Sequence, residues 1–136
     1  MRTIVLDTNV VVSAGLKLNS IPYRLLTNWI FEGKVQVVTC PSVVFEYRDV
    51  LLRPKFTRFG FPPDWLEDLI EGSLYLPDPQ PWPLSLPDPT DGPFLALAHA
   101  AGAWLVTGNL KHFPVKARRG VKVVSPGEYW ELFGGR

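Results

Sequence analysis

The chain is expected to form an α/β domain of three layers, helices on both sides of a mostly parallel central sheet. Two observations predict this. Short apolar strand patterns alternate along the chain with segments of helical periodicity, which implies right-handed crossovers between parallel strands. Two of the apolar runs then stop on oxygen-bearing residues, Asp7-Thr8-Asn9 and Thr107-Gly108-Asn109, at the strand ends where α/β sheets build their sites. At 136 residues the chain is long enough for one core and too short for two ordinary ones, so residues 1–136 are read as one domain.

The first strand covers residues 3–6, Thr-Ile-Val-Leu. Ser20 and Pro22 mark a helix start, followed by an apolar stripe of Leu25, Leu26, Trp29 and Ile30 up to Gly33. Residues 35–39 form a second buried strand. Pro41-Ser42 opens a helix that carries Glu46, with Val43, Val44, Val50 and Leu51 as its apolar stripe and Pro54 as its limit. A further helix runs from Pro62-Pro63-Asp64 to Gly72, with Trp65, Leu66, Leu69 and Ile70 at helical spacing. Residues 77–93 hold seven of the 14 prolines, which excludes a helix or a central strand and leaves an extended connection. Asp91 sits in the first turn of the next helix, which ends at Gly102. Residues 103–106 and 121–124 are the last strands, and Ser125-Pro126-Gly127-Glu128 starts a short final helix.

Composition narrows the class of protein. A 46% hydrophobic and 20% charged chain is globular and not disordered. The single cysteine, Cys40, forms no internal disulfide and is read as a small filler at a strand end, in keeping with a reducing compartment. No apolar run approaches the ~20 residues of a membrane span, and Arg2 leads into a strand pattern, so a cytoplasmic location is expected. A net charge of +1 offers no global field for nucleic acid, and any such binding must come from local patches. Basic residues do group: Arg48, Arg53, Lys55 and Arg58 follow Glu46, and Lys111, His112, Lys116, Arg118 and Arg119 follow Asn109. Both groups flank acids, as a phosphate backbone crossing a metal site requires, although charge runs also serve as plain solvated surface.

Asp7, Glu46, Asp91 and Asn109 make a set of hard oxygen donors if the first and fourth strands are neighbours. Such a set suits Mg²⁺ or Mn²⁺, which neutralise a phosphodiester and activate water. Each residue also has a plainer reading. Asp7 serves equally as a turn former or helix cap, Glu46 as part of a salt-bridged face with Arg48, Asp49 and Arg53, Asp91 as an acid favoured at a helix N-terminus, and Asp88 as a turn residue. Asn109 contributes a neutral oxygen and no charge. Thr8, Asn9 and Thr107 are placed to hold a ligand by hydrogen bonds. His99 is read as a packing residue, and Cys40, His99 and His112 lack a zinc spacing. Trp29, Trp65, Trp104 and Trp130 are read as core or interface residues, and Trp82 as an exposed contact. No Gly-x-x-x-x-Gly-Lys-Ser/Thr or Gly-x-Gly-x-x-Gly motif is present, which removes the usual apparatus for nucleotide hydrolysis or hydride transfer. A dehalogenase-type phosphoacceptor would carry a second Asp where this chain has Asn9.

Four segments in order resemble the PIN domain, the nuclease fold that includes VapC-type toxins: Ile4-Val5-Leu6-Asp7-Thr8-Asn9-Val10, Val44-Phe45-Glu46-Tyr47-Arg48-Asp49-Val50-Leu51, Asp88-Pro89-Thr90-Asp91 with Phe94-Leu95-Ala96-Leu97-Ala98, and Leu105-Val106-Thr107-Gly108-Asn109. The Glu46 segment and Asn109-Leu110-Lys111-His112-Phe113-Pro114 are similar to a toxin-like subgroup of that family. Many members carry Asp where this chain has Asn109. The resemblance implies a metal-dependent endoribonuclease in which Asp7, Glu46, Asp91 and Asn109 hold Mg²⁺ or Mn²⁺, water attacks phosphorus in line, and the products are a 5′-phosphate and a 3′-hydroxyl. It further implies a homodimer and an antitoxin partner, while the basic group after Asn109 gives the expectation of RNA contact through Lys111, His112 and Lys116. The competing expectation is a non-catalytic PIN-like module that binds RNA or protein.

Overall fold

The computed structural model describes residues 2–133. Five strands form one sheet: β1 (Arg2–Leu6), β2 (Val35–Thr39), β3 (Leu74–Tyr75), β4 (Trp104–Val106) and β5 (Val123–Val124). Their spatial order is β3-β2-β1-β4-β5, and every pair is parallel. The sheet is therefore all parallel, a step beyond the mostly parallel one expected. Ile4, Val5 and Leu6 of β1 are fully buried between strands and helices, as a central parallel strand requires. Leu6 lies opposite Val106, so the carboxyl ends of β1 and β4 are level.

Seven α-helices accompany the strands: α1 (Thr8–Leu16), α2 (Ile21–Arg24), α3 (Pro41–Leu51), α4 (Pro54–Thr57), α5 (Pro63–Glu71), α6 (Gly92–Ala101) and α7 (Pro126–Phe133). The periodicity gives no sign of α1, and only the reading of Asp7 as a helix cap points to it. Its Val10-Val11-Val12 run has poor intrinsic helix propensity, yet Asp7 caps it and Val10, Val11 and Ala14 are buried, so tertiary packing overrides local preference. Gly15 lets α1 approach Phe61, whose ring carbons would lie 2.3 Å from any Cβ there. The helix begun at α2 widens into a π-helical segment, Leu25–Ile30, that carries Leu25, Leu26 and Trp29 into the core.

α3 ends before Pro54, and Arg53 is extended, as the residue ahead of a proline prefers. α6 stops on Gly102 in the left-handed conformation, φ 62°. β5 is shorter than residues 121–124 because the Val121 N–H closes a turn onto the Arg118 carbonyl.

The proline segment is extended and tied down. Asp78 accepts hydrogen bonds from both the backbone N–H and hydroxyl of Ser42 at the start of α3 (2.9 Å each). Trp82, expected as an exposed contact, is instead partly buried against the core and donates its indole N–H to the Ala117 carbonyl at 2.9 Å. His99, expected to pack inside, is exposed and meets the Trp82 ring edge-on. Cys40 is buried beside the start of α3, and burial pushes its thiol up to about 11.

Candidate metal centre

Asp7 follows the last residue of β1 and precedes α1, with its backbone N–H bonded to the Val106 carbonyl of β4 (2.9 Å). The side chain is only 5% exposed. Its Oδ1 accepts from the Thr8 backbone N–H at 2.7 Å, while Oδ2 accepts from the Thr107 hydroxyl at 2.8 Å and from the Asn9 amide at 3.4 Å. Thr107 Oγ1 also accepts the Asn109 backbone N–H (3.0 Å), and Asn9 Oδ1 accepts the Gly108 N–H (2.9 Å). The two strand-end motifs are thus stitched to each other through side chains that also fix Asp7.

α3 is anchored at the same place, because the buried Tyr47 hydroxyl donates to the Leu6 carbonyl just before Asp7. This bond holds Glu46, next to Tyr47 on the half-buried surface of α3, near the strand end. The charge of Asp7 helps to raise the Glu46 carboxyl, after burial and Asp49. Asp49 itself pairs with Arg53, and Arg48 pairs with Glu67, so the solvated-face reading describes those residues.

Asp91 closes the short 3₁₀ turn Pro89–Asp91 ahead of α6 and is 8% exposed. Burial first, then the charges of Asp7 and Asp88, push its carboxyl up to about 6. Burial likewise raises Asp7, against the lowering effect of its bonds to Thr107 and Thr8. Asp88 caps the 3₁₀ turn, its Oδ1 accepting from the Thr90 N–H (3.0 Å) and hydroxyl (2.7 Å). His112 Nδ1 lies 2.9 Å from Asp91 Oδ2, an ion-pair contact that draws the Asp91 carboxyl down, yet this buried oxygen meets no hydrogen-bond partner of good geometry among the described residues.

The structure therefore gathers Asp7, Glu46 and Asp91 into one electrostatic neighbourhood and adds Asp88 and His112, expected from the sequence as a turn residue and a phosphate contact. The missed signal was the Asp88-Pro89-Thr90-Asp91 spacing, which turns both acids toward one place. Asn109 is fixed through its backbone. Asn109 lines a shallow recess of about 340 Å³ with Asn9, Ser13 and Pro126, a recess that none of the acids lines. Lys111 and Lys116 are exposed on successive 3₁₀ turns, whereas Arg118 donates to the Phe113 carbonyl (2.7 Å) and braces that loop.

Carboxylates this close raise one another, and only the imidazole of His112 and the Arg53 guanidinium act in the opposite sense by charge. A divalent cation satisfies such a cluster, and the unpartnered Asp91 oxygen fits that role. The family model of the PIN domain matches residues 3–111. The chain belongs to the PIN domain family. Among solved structures it is similar to VapBC2 from Rickettsia felis bound to a promoter DNA fragment (TM-score 0.63, 17% identity, 90% of this chain and 98% of that one). It is also similar to FitAcB from Neisseria gonorrhoeae (TM-score 0.57, 19% identity, 91% and 98%) and PAE2754 from Pyrobaculum aerophilum (TM-score 0.54, 16% identity, 100% and 98%). At these identities the likeness is one of fold. A comparison with curated proteins gives no match. No helix among the described residues of this PIN domain is long and apolar enough to cross a membrane.

Proposed function

We propose that this PIN domain is a metal-dependent endoribonuclease, the toxin member of a toxin-antitoxin pair, acting in the cytoplasm. One observation carries the reading: two carboxylates, Asp7 and Asp91, are both buried and near enough for the charge of Asp7 to raise Asp91, and one Asp91 oxygen has no hydrogen-bond partner among the described residues. A fold does not keep charged groups in such a position for stability, since burial disfavours them.

Asp7, Glu46 and Asp91 would hold Mg²⁺ or Mn²⁺, with Asn109 at the margin. The cation supplies Lewis acidity toward a phosphodiester and a water of lowered pKa. The chain's residues do the rest. Thr107 and the Thr8 N–H fix both oxygens of Asp7, so the carboxylate needs no reorganisation when charge develops nearby. Tyr47 holds the helix bearing Glu46 against β1. Lys111 and Lys116, exposed and close in sequence to the site, are positioned to take the phosphates of a single-stranded RNA.

The fold likeness to the VapBC2 and FitAcB complexes supports an antitoxin as this chain's partner, and a homodimer is part of the proposal. Asp7→Asn preserves shape and removes the charge. Cleavage of single-stranded RNA in Mg²⁺ or Mn²⁺ should drop at least ~100-fold with the fold intact by circular dichroism. Unchanged turnover in the folded variant would leave the non-catalytic binding module as the better reading.

A further inference from the structure

We propose that Asp88, Asp91 and His112 form a mixed nitrogen–oxygen site that takes a first-row divalent cation, Mn²⁺ in preference to Mg²⁺, next to the Asp7–Glu46 pair. The proposal rests on the metal-dependent reading above and names a ligand set and a metal preference within it. One ligand atom from each of the three residues lies within 4.8 Å of the others. That spacing admits a single ion among them.

The closest contact is informative. Neighbouring ligand atoms on an octahedral ion with bonds of ~2.1 Å stand about 3 Å apart, and His112 Nδ1 is 2.9 Å from Asp91 Oδ2. That contact does not count as a hydrogen bond by geometry, and Asp91, 8% exposed, keeps a buried carboxylate oxygen without a hydrogen-bond partner among the described residues. Two ligand atoms facing a common third position produce this geometry. Both Thr90 bonds fall on Oδ1 of Asp88, fixing the carboxylate while Oδ2 accepts no hydrogen bond among the described residues. His112 is carried on the 3₁₀ turn Leu110–His112, just after the Thr107–Asn109 segment that is bonded to Asp7 and Asn9. Imidazole nitrogen adds affinity for transition-metal ions and little for Mg²⁺, which prefers an all-oxygen shell.

The test uses the full chain and the metals alone, without RNA. Mn²⁺ and Mg²⁺ are titrated by calorimetry, and the Mn²⁺-loaded protein is examined by electron spin-echo envelope modulation. The expected result is a directly coordinated ¹⁴N coupling, replaced by a ¹⁵N coupling on ¹⁵N-histidine labelling. In His112→Gln the nitrogen signal should vanish and Mn²⁺ affinity fall about tenfold or more, with Mg²⁺ affinity changed far less. The chain has only two histidines, and His99 lies on the exposed face of α6, so the assignment is direct. Asp88→Asn, which keeps His112, should also weaken Mn²⁺ and serves if His112→Gln does not fold. Bound Mn²⁺ with no nitrogen coupling in the wild type, or a coupling that survives in His112→Gln, overturns the site and leaves the pair with Asp91 as a plain ion pair. The nuclease reading fails separately, through undiminished RNA cleavage by Asp7→Asn.

Discussion

The two ends of β1 and β4 are built on opposite principles. At their carboxyl ends stand Asp7 and Thr107, in a pocket of buried oxygen that also holds Asp91. At their amino ends Arg2 lies over the ring of Phe133, 4.0 Å away, and Trp104 packs edge-on against Phe133 (5.2 Å) and Tyr129 (6.1 Å). Trp29 and Trp130 stack beside them at 4.6 Å. The aromatic end removes large apolar surface from water and asks nothing further of its residues. The acid end spends part of that stability on charges that water would solvate better. Shared strands thus carry a stabilising end and a costly one, and only the costly end needs a function to explain it.

Substitutions at the two ends should separate these roles. The largest effect is expected from Tyr129→Ala, which empties a site 1% exposed and should cost about 3–5 kcal/mol in denaturant unfolding. RNA cleavage per folded molecule should stay at the wild-type rate. A selective loss of rate without loss of stability would erase the contrast between the ends.

A smaller effect, opposite in sense, is expected from pH. The Asp91 carboxyl at about 6 sits above its ordinary value of 3.8, so the fold favours the protonated form. Its contribution is fully present below about pH 4 and is lost as pH rises through 6, on the order of 2 kcal/mol for the metal-free protein. Asp91→Asn should flatten this slope. Cation binding needs the deprotonated acid, so Mn²⁺ should raise Tm more at pH 7 than at pH 5. A metal-induced Tm shift that is larger at pH 5 would contradict the acid end as described.

The smallest change concerns the rim. Lys111→Ala with Lys116→Ala should leave the unfolding free energy within about 0.5 kcal/mol of wild type and lower the log-log salt slope of RNA binding by ~0.7 per lost phosphate contact. An unaltered slope would assign both lysines to ordinary surface.

The sequence made much of the sheet legible because its buried strands are short apolar runs bounded by punctuation. Val35–Thr39 and the helix Pro41–Leu51 fall where their patterns end. α1 was hidden because its valines speak for a strand and only packing makes them helical. The π-helical Leu25–Ile30 has no local signature at all. At the acid end, Asp7 and Asp91 stood out through their positions beside a strand end and a helix start. Asp88 and His112 did not, because what distinguishes them is a contact across 21 to 24 residues that only the folded loop creates. Trp82 misled for the same reason: a proline-rich segment reads as exposed until its indole finds the Ala117 carbonyl.

The bond from Thr107 to Asp7 joins residues 100 positions apart, and the one from Gly108 to Asn9 joins residues 99 apart. A ribosome adding 5–20 residues per second completes that interval in roughly 5–20 s. Throughout it β1 lacks its β4 neighbour and Asp7 stands without Thr107, and for most of it without Asp91 as well. The acid pocket is therefore among the last parts of the molecule that synthesis allows to close, and a nascent chain stalled before Thr107 carries every residue of the first three motifs, Asp7, Glu46 and Asp91 included, without the assembled centre.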